Sequence, residues 1–183
     1  MARIKFAFSE SKALAALAFV ASERPGLTPF YVSKIFYLAE KWHINRYGRP
    51  IVADTYIAMT QGPVPSTIKY FIDKNWERVW EPEGLDDAII VVRGNGLPKL
   101  HIGPAPPSAD LLSESDKECL REAIAFCEGK TPDELSDITH LDKAWLNATT
   151  DQPMDYADFV DDNNPNKAEI MEIMEESAAH GVL

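Results

Sequence analysis

The segment from Thr28 to Pro50, "TPFYVSKIFYLAEKWHINRYGRP", constrains the fold more than any other part of the chain. Thr28 before Pro29 is a helix start: the threonine is suited to cap, and proline at the first helical position loses no intrahelical bond. At the other end Gly48 can take the left-handed C-cap conformation, and Pro50 prevents continuation. Between them Tyr31, Ile35, Leu38 and Trp42 make one stripe, while Phe30, Phe36, Tyr37 and Ile44 spread onto other faces. A helix apolar nearly all round has to be buried. The pattern therefore predicts a central helix with the rest of the chain packed about it.

Other segments supply the packing partners. A first helix opens at Ser9 or Ser11 and runs to about Glu23, where "RPG" stops it; Leu14, Leu17, Ala18 and Ala21 give it one apolar face. Beyond Pro50, residues 55–59 read as a short extended segment and "QGPVPS" as a rigid turn. A helix then runs from Pro65-Ser66 through about Lys74, followed by an aromatic cluster of Trp76, Val79 and Trp80. "AIIVV" and "LPKLHI", joined by "RGNG", read as a hairpin. Ser113 caps a helix to about Cys127. Thr131-Pro132, with Glu134 at the capping-box position, starts one to about His140. Residues 142–148 add a helical turn or two, and a last helix spans about residues 165–179. The fold class is α+β and predominantly helical: a single compact helical domain over residues 1–183 with one small β-hairpin, a length that one core can serve.

Charge limits the partners. The formal net charge is −11, with residues 1–80 carrying 11 Lys+Arg against 6 Asp+Glu and residues 81–183 carrying 7 against 23. From Asp151 onward there are nine acids and one base, Lys167. Such a field repels phosphate backbones, which disfavours nucleic acid, and attracts a basic partner. It also serves simply as a solvated face. No stretch approaches the ~18 apolar residues of a membrane span, and "ALAALAFVA" after Arg3 and Lys5 is interrupted too closely by charge to read as a secretion signal. Cys119 and Cys127 make neither a disulfide framework nor a zinc site, so a reducing cytoplasm is the expected location.

No catalytic constellation stands out. His43, His101, His140 and His180 lack the close pairing that puts two metal ligands on one helix face, although His43, Asp54 and His140 could assemble across the fold as a metal-dependent hydrolase. The competing reading makes His43 and His140 buried residues bonded to backbone carbonyls. Neither cysteine has neighbours that would stabilise a thiolate, and no nucleophile elbow or phosphate loop is present. No cofactor is implied.

The stretch "KIFYLAEKWHINRYGRPIVADTYIAMTQGPVPS" resembles the signature of the Panacea domain, the SocA-like antitoxin family. The matching residues are Lys34, Tyr37, Ala39, Trp42 and His43, then Gly48 and Pro50, then Gly62, Pro63, Val64 and Pro65. A second block, "LSDITHLDKAWLNA", is similar at Leu135, Thr139, His140 and Trp145, with Ile138 where the family has leucine. Together the resemblance covers about residues 9–148, and residues 149–183 form an acidic C-terminal extension without a signature.

The resemblance implies a non-enzymatic antitoxin that binds and neutralises a co-encoded toxin. In some members it implies an adaptor that presents the toxin to an ATP-dependent protease. The shared residues would be scaffold. The expected toxin contact lies on the extension: Asp155, Asp158, Asp161, Asp162, Glu169, Glu172 and Glu175 as steering charges, with Met171 and its neighbours Ile173 and Met174 as apolar anchors. Against that, Ile170, Met171 and Met174 could simply dock the last helix on the body. Two alternatives stay open at this level, the metal-dependent hydrolase and a DNA-binding autorepressor using the net-positive first 80 residues.

Overall fold

The computed structural model describes residues 4–73, 81–181 and 183; the expected aromatic cluster at Trp76, Val79 and Trp80, and the predicted helix end at Lys74, lie outside the described residues. Helix α1 (Glu10–Glu23) starts at Ser9, whose hydroxyl accepts from the Lys12 N–H at 3.4 Å. Helix α2 (Pro29–Tyr47) follows Thr28 and ends on Gly48 at φ 67°, as the sequence predicts, although the Thr28 side chain makes no capping bond. α2 is the axis of the molecule, in contact with α3 (Ser66–Ile72), α5 (Glu114–Cys127), α6 (Pro132–His140) and α8 (Lys167–His180).

α1 departs from the one-faced helix that its leucine spacing suggests. Every residue from Ala13 to Ala21 is buried, because a run of alanines lets neighbouring backbones approach on all sides. α5 and α6 open on full capping boxes, Ser113 with Asp116 and Thr131 with Glu134. Two single helical turns, α4 (Leu85–Ala88) and α7 (Lys143–Leu146), connect longer elements.

The described residues contain two hairpins where the sequence reading has one. Strands β3 (Ile89–Val92) and β4 (Lys99–Ile102) form the expected one, with Ile89, Val91 and Leu100 turned inward. The other pairs β1 (Tyr56–Met59) with β2 (Gly62–Pro65), so "GPVP" is a strand and not the turn that its prolines suggest. The register resolves the conflict. Tyr56 and Ala58 use their backbone groups on the far side: Met154 donates to Tyr56, Asp151 donates to Ala58, and Ala58 donates to Gln152. β1 therefore meets β2 through Ile57 opposite Val64, and Pro63 and Pro65 occupy positions whose missing N–H would point away from β1. Residues 151–154 thus flank β1, which builds the start of the acidic extension into the body.

Candidate functional site

Three ionisable side chains of α2 (Lys34, Glu40 and His43) are buried, and burying a charge is costly unless it is paired and hydrogen-bonded. What each one meets divides the site into three parts.

Glu40 is answered by backbone. Its carboxylate accepts the N–H groups of Ile51 and Ala53 at 2.8 Å and of Val52 at 3.3 Å, and the Tyr156 hydroxyl at 3.2 Å. Burial pushes the Glu40 carboxyl above its ordinary range, and the three N–H bonds oppose that rise. The chain after Pro50 is folded around this one carboxylate, with Ala53 forced to φ 61°. Asp54 follows and caps α3 from outside it. The Asp54 carboxylate accepts from the N–H groups of Thr55, Thr67 and Ile68 at 2.7, 3.0 and 2.8 Å, while the helix's own N-cap, Pro65, offers no side-chain bond.

His43 is answered by α5. Its Nδ1 lies 2.8 Å from the Arg49 carbonyl, which can only accept, so Nδ1 is a donor here. Nε2 lies 3.0 Å from the Ser115 hydroxyl and 3.1 Å from Asp116. Asp116 also receives Lys12 at 2.9 Å, Arg49 at 3.5 Å and the Ser113 N–H at 2.9 Å. Burial alone would push the Asp116 carboxyl up. The hydrogen bonds from His43 and Lys12 win, and hold it well below the usual carboxylate range.

Lys34 is answered by the second signature block. Its ammonium donates to the Gln61 carbonyl in the β1–β2 turn, and to the Thr139 hydroxyl of α6 at 3.3 Å. Ser136 donates to the same Gln61 carbonyl at 3.1 Å, and the Trp145 indole donates to the Met59 carbonyl at 3.1 Å. His140 stacks on Trp145 with ring centroids 4.0 Å apart. Gly62, at φ 95°, is required here, because a Cβ would run into the Lys34 ammonium and the Thr139 hydroxyl. Two motif blocks some hundred residues apart are thus one physical unit about the β1–β2 turn. Beside it opens a groove of about 420 Å³ with Lys34 in its wall, together with Phe30, Met59, Gln61, Val64 and Lys69. A larger depression of about 650 Å³ lies between the α1–α2 and α5–α6 turns, but its polar groups pair with one another, Arg24 with Glu128 at 2.9 Å and Tyr31 with the Lys130 carbonyl at 2.8 Å.

The remaining signature residues shape this scaffold. Tyr37 is fully buried in an aromatic group with Tyr56 and Phe159, at ring centroids 5.7 and 5.4 Å away. Trp42 sets its ring edge-on to Phe126. Gly48 leaves room for α8, since a Cβ there would stand 2.7 Å from the Ile173 side chain, and Pro50 is buried behind it.

The proposed contact residues of the extension separate into two sets. Asp155 caps the turn at Ala157, Asp158 pairs with Lys143 at 3.4 Å, and Asp161 pairs with Lys41 at 3.0 Å. Asp162 pairs with Lys143 at 2.9 Å and Lys167 at 2.6 Å, and these two bonds bring its carboxyl down to about 2. These four acids are occupied within the chain. Glu169, Glu172 and Glu175, with Glu176, are exposed on α8 and have no ion pair among the described residues. Ile170 and Met174 are buried and Met171 is half-buried against the core, so the apolar side of α8 docks on the body; Met174 is not an outward anchor.

The metal reading lacks a ligand set. Among the described residues no three His, Cys, Asp or Glu side chains are grouped to hold an ion, and His43, Asp54 and His140 are engaged separately by α5, by α3 and by Trp145. The Cys119 and Cys127 thiols are both pushed up to about 11 by burial, which keeps them from acting as nucleophiles near neutrality. No helix among the described residues is long and apolar enough to cross a membrane.

A mostly helical α+β body built on a buried polar scaffold is the structural class that emerges. The family model described as antitoxin SocA-like, Panacea domain, matches residues 32–146, from the second turn of α2 through α7. The chain belongs to that family of antitoxins. No curated protein and no solved structure matches it.

Proposed function

We propose that the chain neutralises a toxin encoded beside it by direct protein–protein contact, without catalysis, and that the outer face of α8 is part of the contact. Membership of the antitoxin family supports the role. One observation supports the surface: the acids at 158–162 are consumed by internal lysines, whereas Glu169, Glu172, Glu175 and Glu176 form an exposed ridge with no counter-charge among the described residues. An unpaired ridge of one sign speeds the encounter with a basic partner and turns away polyanions.

Deleting residues 151–183 would also take Met154, Tyr156 and Phe159 out of the core, so neutralising the ridge is the cleaner perturbation. The chain and the product of the adjacent gene are co-expressed, and growth rescue and binding are measured. Glu→Gln at 169, 172, 175 and 176 together is expected to lower the association rate and flatten its dependence on salt, with the melting temperature unchanged. Unchanged association kinetics at low salt would remove the ridge from the contact. Failure of the wild-type chain to bind or rescue would remove the antitoxin role. The toxin's lifetime in the same cells separates simple blocking from delivery to an ATP-dependent protease.

A further inference from the structure

The groove beside Lys34 is about 14 residues along α2 from the Gly48 end where α8 docks, roughly 21 Å at the helical rise, so it is a separate surface from the acidic ridge. Its chemistry is the reverse of the ridge's. Lys34 is 1% exposed, and its acceptors, the Gln61 carbonyl and the Thr139 hydroxyl, are both neutral. An ammonium has three N–H donors, and among the described residues only two of the three are met. Nor does any carboxylate among the described residues pair with it, whereas the other α2 lysine, Lys41, pairs with Asp142 and Asp161. The Cys127 thiol on α5, which acts on Lys34 through space, is kept neutral by its own burial. The groove walls combine apolar Phe30, Met59 and Val64 with polar Ser33, Thr60 and Gln61 and a second lysine, Lys69, and the Phe30 ring lies 5.3 Å from the Lys34 ammonium.

A groove with apolar side chains and two lysines in its wall, one of them buried and lacking both a third acceptor and a counter-charge among the described residues, is complementary to a carboxylate carried between apolar side chains. We propose that this groove receives an acidic side chain of the protein partner, flanked by aliphatic residues, with its carboxylate taking the free Lys34 donor. The occupant rests on the reading of the chain as a toxin-binding protein. The groove's own preference can be tested without any toxin.

The probe is N-acetyl-Leu-Glu-Leu-amide, compared with its Gln counterpart, added to the full chain carrying methyl-labelled methionine. Met59 lines the groove and reports occupancy by its methyl shift. A saturable Met59 shift with the Glu peptide is expected, with the Gln peptide weaker by about tenfold or more, the scale of one charge-assisted hydrogen bond. Lys34→Met should erase the preference. As a second variant, Met59→Glu places a carboxylate of the chain's own in the groove. It is expected to weaken the adjacent gene product by about tenfold and to raise the melting temperature by satisfying Lys34. Equal binding of the two peptides, or no saturation at millimolar concentration, overturns the proposal. So does a partner that binds the wild type and both variants equally, a result that leaves the antitoxin role standing. A wild-type chain that ignores the partner yet prefers the Glu peptide keeps the groove and overturns the toxin as its occupant.

Discussion

Replacing Lys34 with methionine is expected to stabilise the protein at neutral pH and to do nothing of the kind at pH 9. Burial lowers the Lys34 ammonium from its ordinary 10.5 to about 7. At about 1.4 kcal/mol for each pH unit, the charged form is destabilised in the fold by about 5 kcal/mol relative to the unfolded chain. The sign follows from proton counting. Between the folded value and 10.5 the unfolded chain holds more protons, so stability rises with pH through that window. The wild type then carries about 4 kcal/mol of this penalty at pH 7 and about 2 kcal/mol at pH 9.

Methionine keeps the unbranched stem and forfeits two hydrogen bonds, worth about 1 kcal/mol each. The Gln61 carbonyl is not orphaned, because the Ser136 hydroxyl still reaches it at 3.1 Å. The balance favours Lys34→Met by about 2 kcal/mol at pH 7, falling to about zero at pH 9. Urea unfolding followed by circular dichroism at pH 7, 8 and 9 measures it. Taking the difference between the two proteins cancels every other titrating group, and the Cys127 thiol, pushed up to about 11, stays neutral throughout. A difference that does not change with pH would refute the reasoning, as would a variant clearly less stable than wild type at pH 7.

Three further outcomes follow from the same geometry. Glu40→Gln turns an amide N–H₂ toward the N–H groups of residues 51–53 and is expected to cost about 1–3 kcal/mol in chemical unfolding, a neutral result contradicting the backbone cradle. Ala53→Gly relieves an alanine held at φ 61° and is expected to leave stability unchanged or raise it by up to about 1 kcal/mol, so a marked fall in melting temperature would contradict it. Asp116, with its folded carboxyl held far below 3.8, contributes stability that is present above that value and lost as pH falls below it; Asp116→Asn should remove this acid-side slope in a melting series from pH 5 to about 2.5.

The helical frame was legible because its signals are local. Thr28-Pro29 with Gly48, Ser113 with Asp116, and Thr131 with Glu134 each declare an end within four residues or one helix length. The β1–β2 hairpin was not legible, since prolines at 63 and 65 suit a strand only in the register that residues 151–154 impose from the far side of β1. Lys34 and Glu40 hid for a related reason. Charged residues on a helix ordinarily face water, and only the return of residues 51–53 and of α6 encloses these two. In the extension, composition announced nine acids but could not say which of them find internal lysines, some of them, like Lys41 and Lys143, on other elements of the fold.

The three buried ionisable groups of α2 also explain why the chain's two signature blocks look like chemistry and act as architecture. Glu40 holds the path after Pro50, and His43 ties that path to α5 through Arg49 and Asp116; each has its hydrogen-bonding positions filled by the chain itself. A group so completed has little left to offer a ligand. Lys34 sits in the same helix under the same desolvation, holds the β1–β2 turn against α6, and yet among the described residues is left one acceptor short and without a paired carboxylate beside an open groove. Methionine would fill its space at lower free-energy cost near neutral pH, so packing alone gives no reason for a cation there. A carboxylate arriving from outside would supply one, so the proposed contact includes the Lys34 end of α2 as well as the acidic ridge on α8.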